Sequence, residues 1–147
     1  MREVANRLEH MGCINRDIRL TAMLTGPACD RLIALRADFT FESNQLLNQL
    51  TAKLTGYEQA RLASRILAAF VSMQQLLTGH QQSWTSAEVE RDPDGYIAAS
   101  LKVHAVVINF LEGALDAVEI AARPQGNDRP AISPFAQAAP DRLTGTR

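Results

Sequence analysis

The sequence predicts an all-α fold: an antiparallel helical bundle of about four helices with a disordered, proline-rich C-terminal tail. Three observations predict it. Apolar residues recur at steps of three and four through most of the first 122 positions, the period of a helix face. Glycine and proline interrupt that period at Gly26-Pro27, Gly56, Gly79 and Pro93-Asp94-Gly95. Four of the six prolines (Pro124, Pro130, Pro134, Pro140) then crowd into a terminal stretch with no period at all,. The division is a helical bundle domain over 1–123 and a disordered tail over 124–147.

The first helix is expected from about Arg2 to Met23, with Val4, Leu8, Met11, Ile14 and Ile18 on one face,. Thr25-Gly26-Pro27 ends it, and a second helix starts at the proline, which is tolerated in a first turn. Cys29, Leu32, Ile33, Leu46, Leu47, Leu50 and Leu54 keep the helical period, and we read one long helix through the β-prone Phe39-Thr40-Phe41. Thr55-Gly56-Tyr57-Glu58 fits a capping box for a third helix. Leu62, Ile66, Ala69, Met73 and Leu76 then step 4-3-4-3, with Ala63, Leu67 and Phe70 beside them, until Thr78-Gly79 supplies a stop,. Ser86 to Arg91 makes at most one turn. Asp92 or Asp94 caps a fourth helix that runs to about Ala122,.

That fourth helix carries two heptad seams. Ile97, Leu101, His104, Ile108, Leu111, Leu115, Val118 and Ala122 form the first,. Ala99, Val103, Val106, Phe110, Gly113, Ala117 and Ile120 form the second, with Lys102, Asn109, Glu112, Asp116 and Glu119 as a polar line between them. A helix apolar on two faces needs more than one neighbour. Either it is the central helix of one chain or one seam is an interface. The chain's preceding helix is expected on the first seam, with its larger Leu and Ile residues. The second seam is then the candidate interface with a protein partner or a second copy in a homodimer. His104 is expected as a polar core residue, its pKa lowered if buried. Trp84 is expected to cap the end of the bundle, the alternative being an exposed anchor of the sort that interfaces use.

Composition excludes several classes. Net charge is −1, pI about 6.3, and aromatic content 5%, so no basic surface or stacking platform points to direct nucleic-acid binding. No apolar run is long enough for a membrane span. No secretory signal is visible and the two cysteines, Cys13 and Cys29, make no disulfide framework, so a cytoplasmic protein with buried free thiols is expected. No Glu-x-x-His, His-Glu-x-x-His, Cys-x-x-Cys or Gly-x-Ser-x-Gly occurs,. Neither catalytic, metal nor cofactor-binding residues are therefore assigned.

The stretch Tyr96-Ile97-Ala98-Ala99-Ser100-Leu101-Lys102-Val103-His104-Ala105 resembles the opening of the second long helix in the TraM quorum-sensing antiactivator family. The shared residues are Tyr96, Ile97, Ala99, Ser100, His104 and Ala105. An amphipathic helix and a polar loop precede them in the same order. Ala98 stands where that family has an acidic residue, and the first 55 residues have no counterpart in its short members. The resemblance implies a small, often dimeric helical regulator that sequesters a LuxR-type transcription factor, without enzyme activity. The rival reading is a small-ligand-binding or enzymatic bundle whose site forms only in the folded core, and a cavity lined by Met, Phe and His104 would favour it. A structural or chaperone-like helical subunit is a third.

Overall fold

The computed structural model describes residues 1–25, 30–56 and 59–123. The tail expected over 124–147, Cys29 and the Tyr57-Glu58 half of the capping box lie outside the described residues. Five helices are present among them, and no strand: α1 (Arg2–Thr25), α2 (Asp30–Lys53), α3 (Ala60–Ser83), α4 (Ser86–Arg91) and α5 (Pro93–Ala122). The principal packing partners form a ring. α1 lies on α2 and α5, α3 lies on α5 and α2, and the short α4 lies on α5. None of the helices is long and apolar enough to cross a membrane.

The core is assembled from the faces that the period defines. On α1, Val4, Leu8, Met11 and Ile14 are buried and Ile18 is half-buried. Cys13 falls on the opposite side, two residues and about 200° from Met11, and is exposed, not a buried thiol. α2 passes through Phe39-Thr40-Phe41 unbroken, burying Leu32, Phe39, Ser43, Leu46 and Leu50. Near the start of α1, Arg7 reaches across to the far end of α2. Its Nε donates to Gln49 Oε1 at 3.0 Å, and its guanidinium pairs with Glu42.

Two expected boundaries move. Thr55 does not cap α3; its hydroxyl donates back to the Ala52 carbonyl at 3.0 Å and so finishes α2. The N-cap of α3 is Gln59, whose side chain makes no capping bond. At the other end, α3 continues through Gly79 to Ser83, and the Trp84 N–H closes onto the His80 carbonyl at 3.0 Å. A helical glycine costs only about 1 kcal/mol, and the added turn carries His80 and Trp84 onto Tyr96 of α5. The buried line of α3 is Ala63, Ile66, Phe70 and Met73, while Leu76 is exposed.

Asp92 serves two helices. Its N–H closes α4 on the Glu88 carbonyl, and its carboxylate accepts the Gly95 N–H at 3.0 Å to start α5, with Pro93 following as the first helical residue. A Cβ on Gly95 would press on that carboxylate as it now sits, so a larger residue there would make the Asp92 side chain shift. Asp92→Ala should cost about 1 kcal/mol and lower Tm by a few degrees, read by thermal circular dichroism.

On α5 the buried residues are Tyr96, Val107, Phe110, Leu111, Ala114 and Val118. They centre on a strip between the two seams, which flank it by roughly 70–80° on either side at 100° per residue. Two neighbours explain this. α3 meets the second-seam side, where the Phe70 and Phe110 rings lie 5.8 Å apart and tilted by 56°. His104, on the first-seam side, faces Arg19 of α1. The preceding long helix thus meets the second seam at Phe110 and also reaches Ser100 toward the first-seam side, where the sequence suggested the first seam alone.

Candidate functional site

Toward the end of the ring where α1 finishes and α5 begins, the four long helices line a half-open cavity of about 500 Å³, within the range of small-molecule sites. α1 contributes Asn15, Ile18, Arg19 and Met23, and α2 contributes Arg36, Phe39 and Ser43. The walls from α3 and its C-cap are Phe70, Leu77, His80 and Trp84; those from α5 are Tyr96, Ser100, His104 and Val107. A shallower depression on the α2–α3 side shares Leu47, Phe70, Gln74 and Thr78 with it.

Its polar groups are unevenly satisfied. Thr40 and Thr51, also on α2, donate to the carbonyls of Arg36 and Leu47, four residues back, the usual outlet for a helical hydroxyl. Ser43 has no such bond. It is 1% exposed, and its Oγ has no hydrogen-bond partner among the described residues. A hydroxyl buried so costs about 1–3 kcal/mol.

Around Tyr96 the side chains form a stack. The His80 ring lies over it at 5.6 Å and 25°, Trp84 meets it edge-on at 5.7 Å, and the Arg36 guanidinium carbon stands 5.6 Å from its centroid. His80 Nε2 and Ser100 Oγ are 3.2 Å apart. That distance would suit a base and a nucleophile. Among the described residues no carboxylate lines the cavity to orient His80, however, and Ser100 lies within α5, whose backbone N–H groups are engaged in the helix. Orientation and an oxyanion hole are what such a pair needs for acyl transfer.

Both cavity histidines have pKa values below the ordinary imidazole value. For His80 the cause is burial first and the Arg36 charge second; for His104 it is burial first and Arg19 second. A histidine depressed in the fold takes up its proton more readily when unfolded, so stability rises with pH through that window. The contribution is complete above about pH 6.5, the unfolded value, and declines as pH falls through the folded values. Tm should therefore drop as pH falls below about 6.5, and His80→Gln with His104→Gln should flatten that slope in thermal denaturation.

The residues singled out from sequence are distributed as follows. His104 is half-buried at the cavity wall; Phe110 is buried; Ala99, Val103, Val106 and Ala117 are half-buried; Gly113 and Ile120 are exposed. Val103 and His104 line the cavity. Of the six residues shared with the antiactivator pattern, Tyr96, Ile97, Ser100 and His104 line it as well. Trp84 does close an end of α3, against Tyr96. Sequence reasoning missed Ser43, His80, Arg19 and Arg36, and named Ser100 only through the antiactivator pattern. Ser43 had a signal, a hydroxyl in register with Phe39, Leu46 and Leu50. The pairing of His80 with Ser100 had none, because they meet only through the packing of α3 on α5. Among the described residues no group of three His, Cys, Asp or Glu side chains is placed to hold a metal. Comparison with family models, curated proteins and solved structures finds no match to the chain.

Proposed function

We propose that this chain is a binding protein for a small, largely apolar molecule, held among α1, α2, α3 and α5 of an antiparallel bundle. The observation that carries the reading is the cavity itself. It is lined by Met23, Phe39, Phe70 and His104 and holds the unpartnered hydroxyl of Ser43 in its wall. Apolar walls with a few converging polar groups are the usual make-up of a small-molecule site. The antiparallel sense is supported by which ends meet: Arg7 with Gln49, and His80 near the end of α3 with Ser100 near the start of α5.

The test uses three ten-carbon probes, decanol, decanoate and decylammonium, followed by Trp84 emission and native mass spectrometry. Saturable one-to-one binding of at least one probe is expected. It should be lost in Ala22→Phe, which fills the cavity from α1 while keeping the helix. If none of the three binds, the reading fails.

The sequestering regulator, dimeric and acting on a protein such as a LuxR-type factor, is the second reading. Exposed Leu20, Met23 and Leu24 at the end of α1 and Ile33 on α2 support it, since clustered apolar surface marks interaction sites. Sedimentation decides it: an assembly that Leu24→Glu dissolves while helicity persists supports a protein interface at that end. A wild-type monomer that captures no protein counts against it.

A further inference from the structure

We infer that the molecule held in the cavity carries an uncharged hydrogen-bonding group, a hydroxyl or a carboxamide, on the part that reaches the buried wall, an inference that rests on the small-molecule reading above. Two side chains of that wall carry it. Ser43 of α2 is 1% exposed, and its Oγ has no hydrogen-bond partner among the described residues. Asn15 of α1 is 6% exposed, and its amide makes no hydrogen bond among the described residues. Buried hydroxyls and amides are normally paired, because leaving them without a partner costs stability. Here two helices that pack on each other each bring such a group to the lining of the same cavity.

The chemistry of the pair selects the group that would satisfy it. Both side chains are neutral, and each can donate and accept. The arginines of the lining are less buried: Arg19 is exposed and Arg36 half-buried. A carboxylate or ammonium carried in as far as Asn15 and Ser43 would lose its water against neutral partners, at a large cost. A plain hydrocarbon would cover both groups and leave them unpaired. A hydroxyl or carboxamide accepts from the Ser43 hydroxyl or the Asn15 N–H and donates to the Asn15 Oδ1. One staggered step about its Cα–Cβ bond turns the Ser43 hydroxyl toward such a group. Phe39, Phe70 and Val107 offer the apolar body its contact surface.

The full chain and three probes, octanol, octanamide and octyl chloride, test this through Trp84 emission. Octyl chloride matches octanol in shape without its hydroxyl, so the measure is how each probe's affinity changes between variants. Ser43→Ala and Asn15→Leu should each weaken octanol and octanamide roughly three- to tenfold, the scale of one neutral hydrogen bond, and leave octyl chloride within about twofold. A loss confined to the two polar probes at either position supports the assignment. A loss at neither position, with octyl chloride still bound, overturns the uncharged polar group and leaves the cavity reading standing. A variant that weakens all three probes alike has lost its cavity. Ser43→Cys, close in size but a poor donor, then decides by the same ratio of octanol to octyl chloride. Binding of none of the probes by the unaltered chain overturns both readings.

Discussion

Phe110→Glu should unfold this protein. Phe110 is 9% exposed and its ring packs on Phe70 between α5 and α3. A carboxylate placed there loses its water without gaining a partner, at an effective cost of several kcal/mol. Loss of the ring contact and its buried area adds to that. Domains of this size are stable by about 5–15 kcal/mol, so the helical signal should fall sharply at 25 °C. Ile120→Glu on the same seam is the companion. Ile120 is 58% exposed, and its substitution should change stability by no more than about 0.5 kcal/mol. Circular dichroism and sedimentation on both variants also test the seam as an interface between chains. A Phe110→Glu protein that stays helical but halves in mass would assign that seam to a second copy.

Leu46→Ala should be the next most damaging change, at about 2–5 kcal/mol. Leu46 is completely buried in the core that Val4, Leu8, Ile66 and Leu111 also build. Truncation removes three carbons from a close-packed region that can only partly collapse. Its neighbour Leu47 is 37% exposed and should lose less than about 1 kcal/mol on the same substitution, by the smaller area it buries. Thermal melts should separate the two variants by about 10 °C. Equal losses would mean that α2 is rotated from the orientation described.

The two pairs of variants also mark where periodicity was and was not enough. α1 was legible because it presents one narrow stripe, and Val4, Leu8, Met11 and Ile14 are buried as that stripe requires. α5 was only half legible. A helix wedged between two neighbours is apolar over a wide arc, and nothing in the sequence marks the middle of that arc as its most buried line. Val107 and Ala114, which hold that middle, belong to neither seam. Local end signals lost to tertiary contact in a similar way, as at Gly79, where Trp84 and His80 gain Tyr96 by an extra turn. The cavity was the least legible feature. Its chemistry comes from single residues on four helices, and one-dimensional spacing contains no record of which ends come together.

The ring of contacts has a consequence for synthesis. α5 is the last of the described helices to be made and packs on both α1, the first, and α3. At about 5–20 residues per second, its 30 residues take roughly 1.5 to 6 s to translate. Until α5 docks, α1 and α3 each lack one of their packing neighbours. α1 and α2 can form a local hairpin early, secured by Arg7 against Glu42 and Gln49. The half-built chain nevertheless stays sticky until α5 arrives. Released chains truncated within α5 should therefore be more protease-sensitive and bind chaperones more readily than chains extending past Arg123.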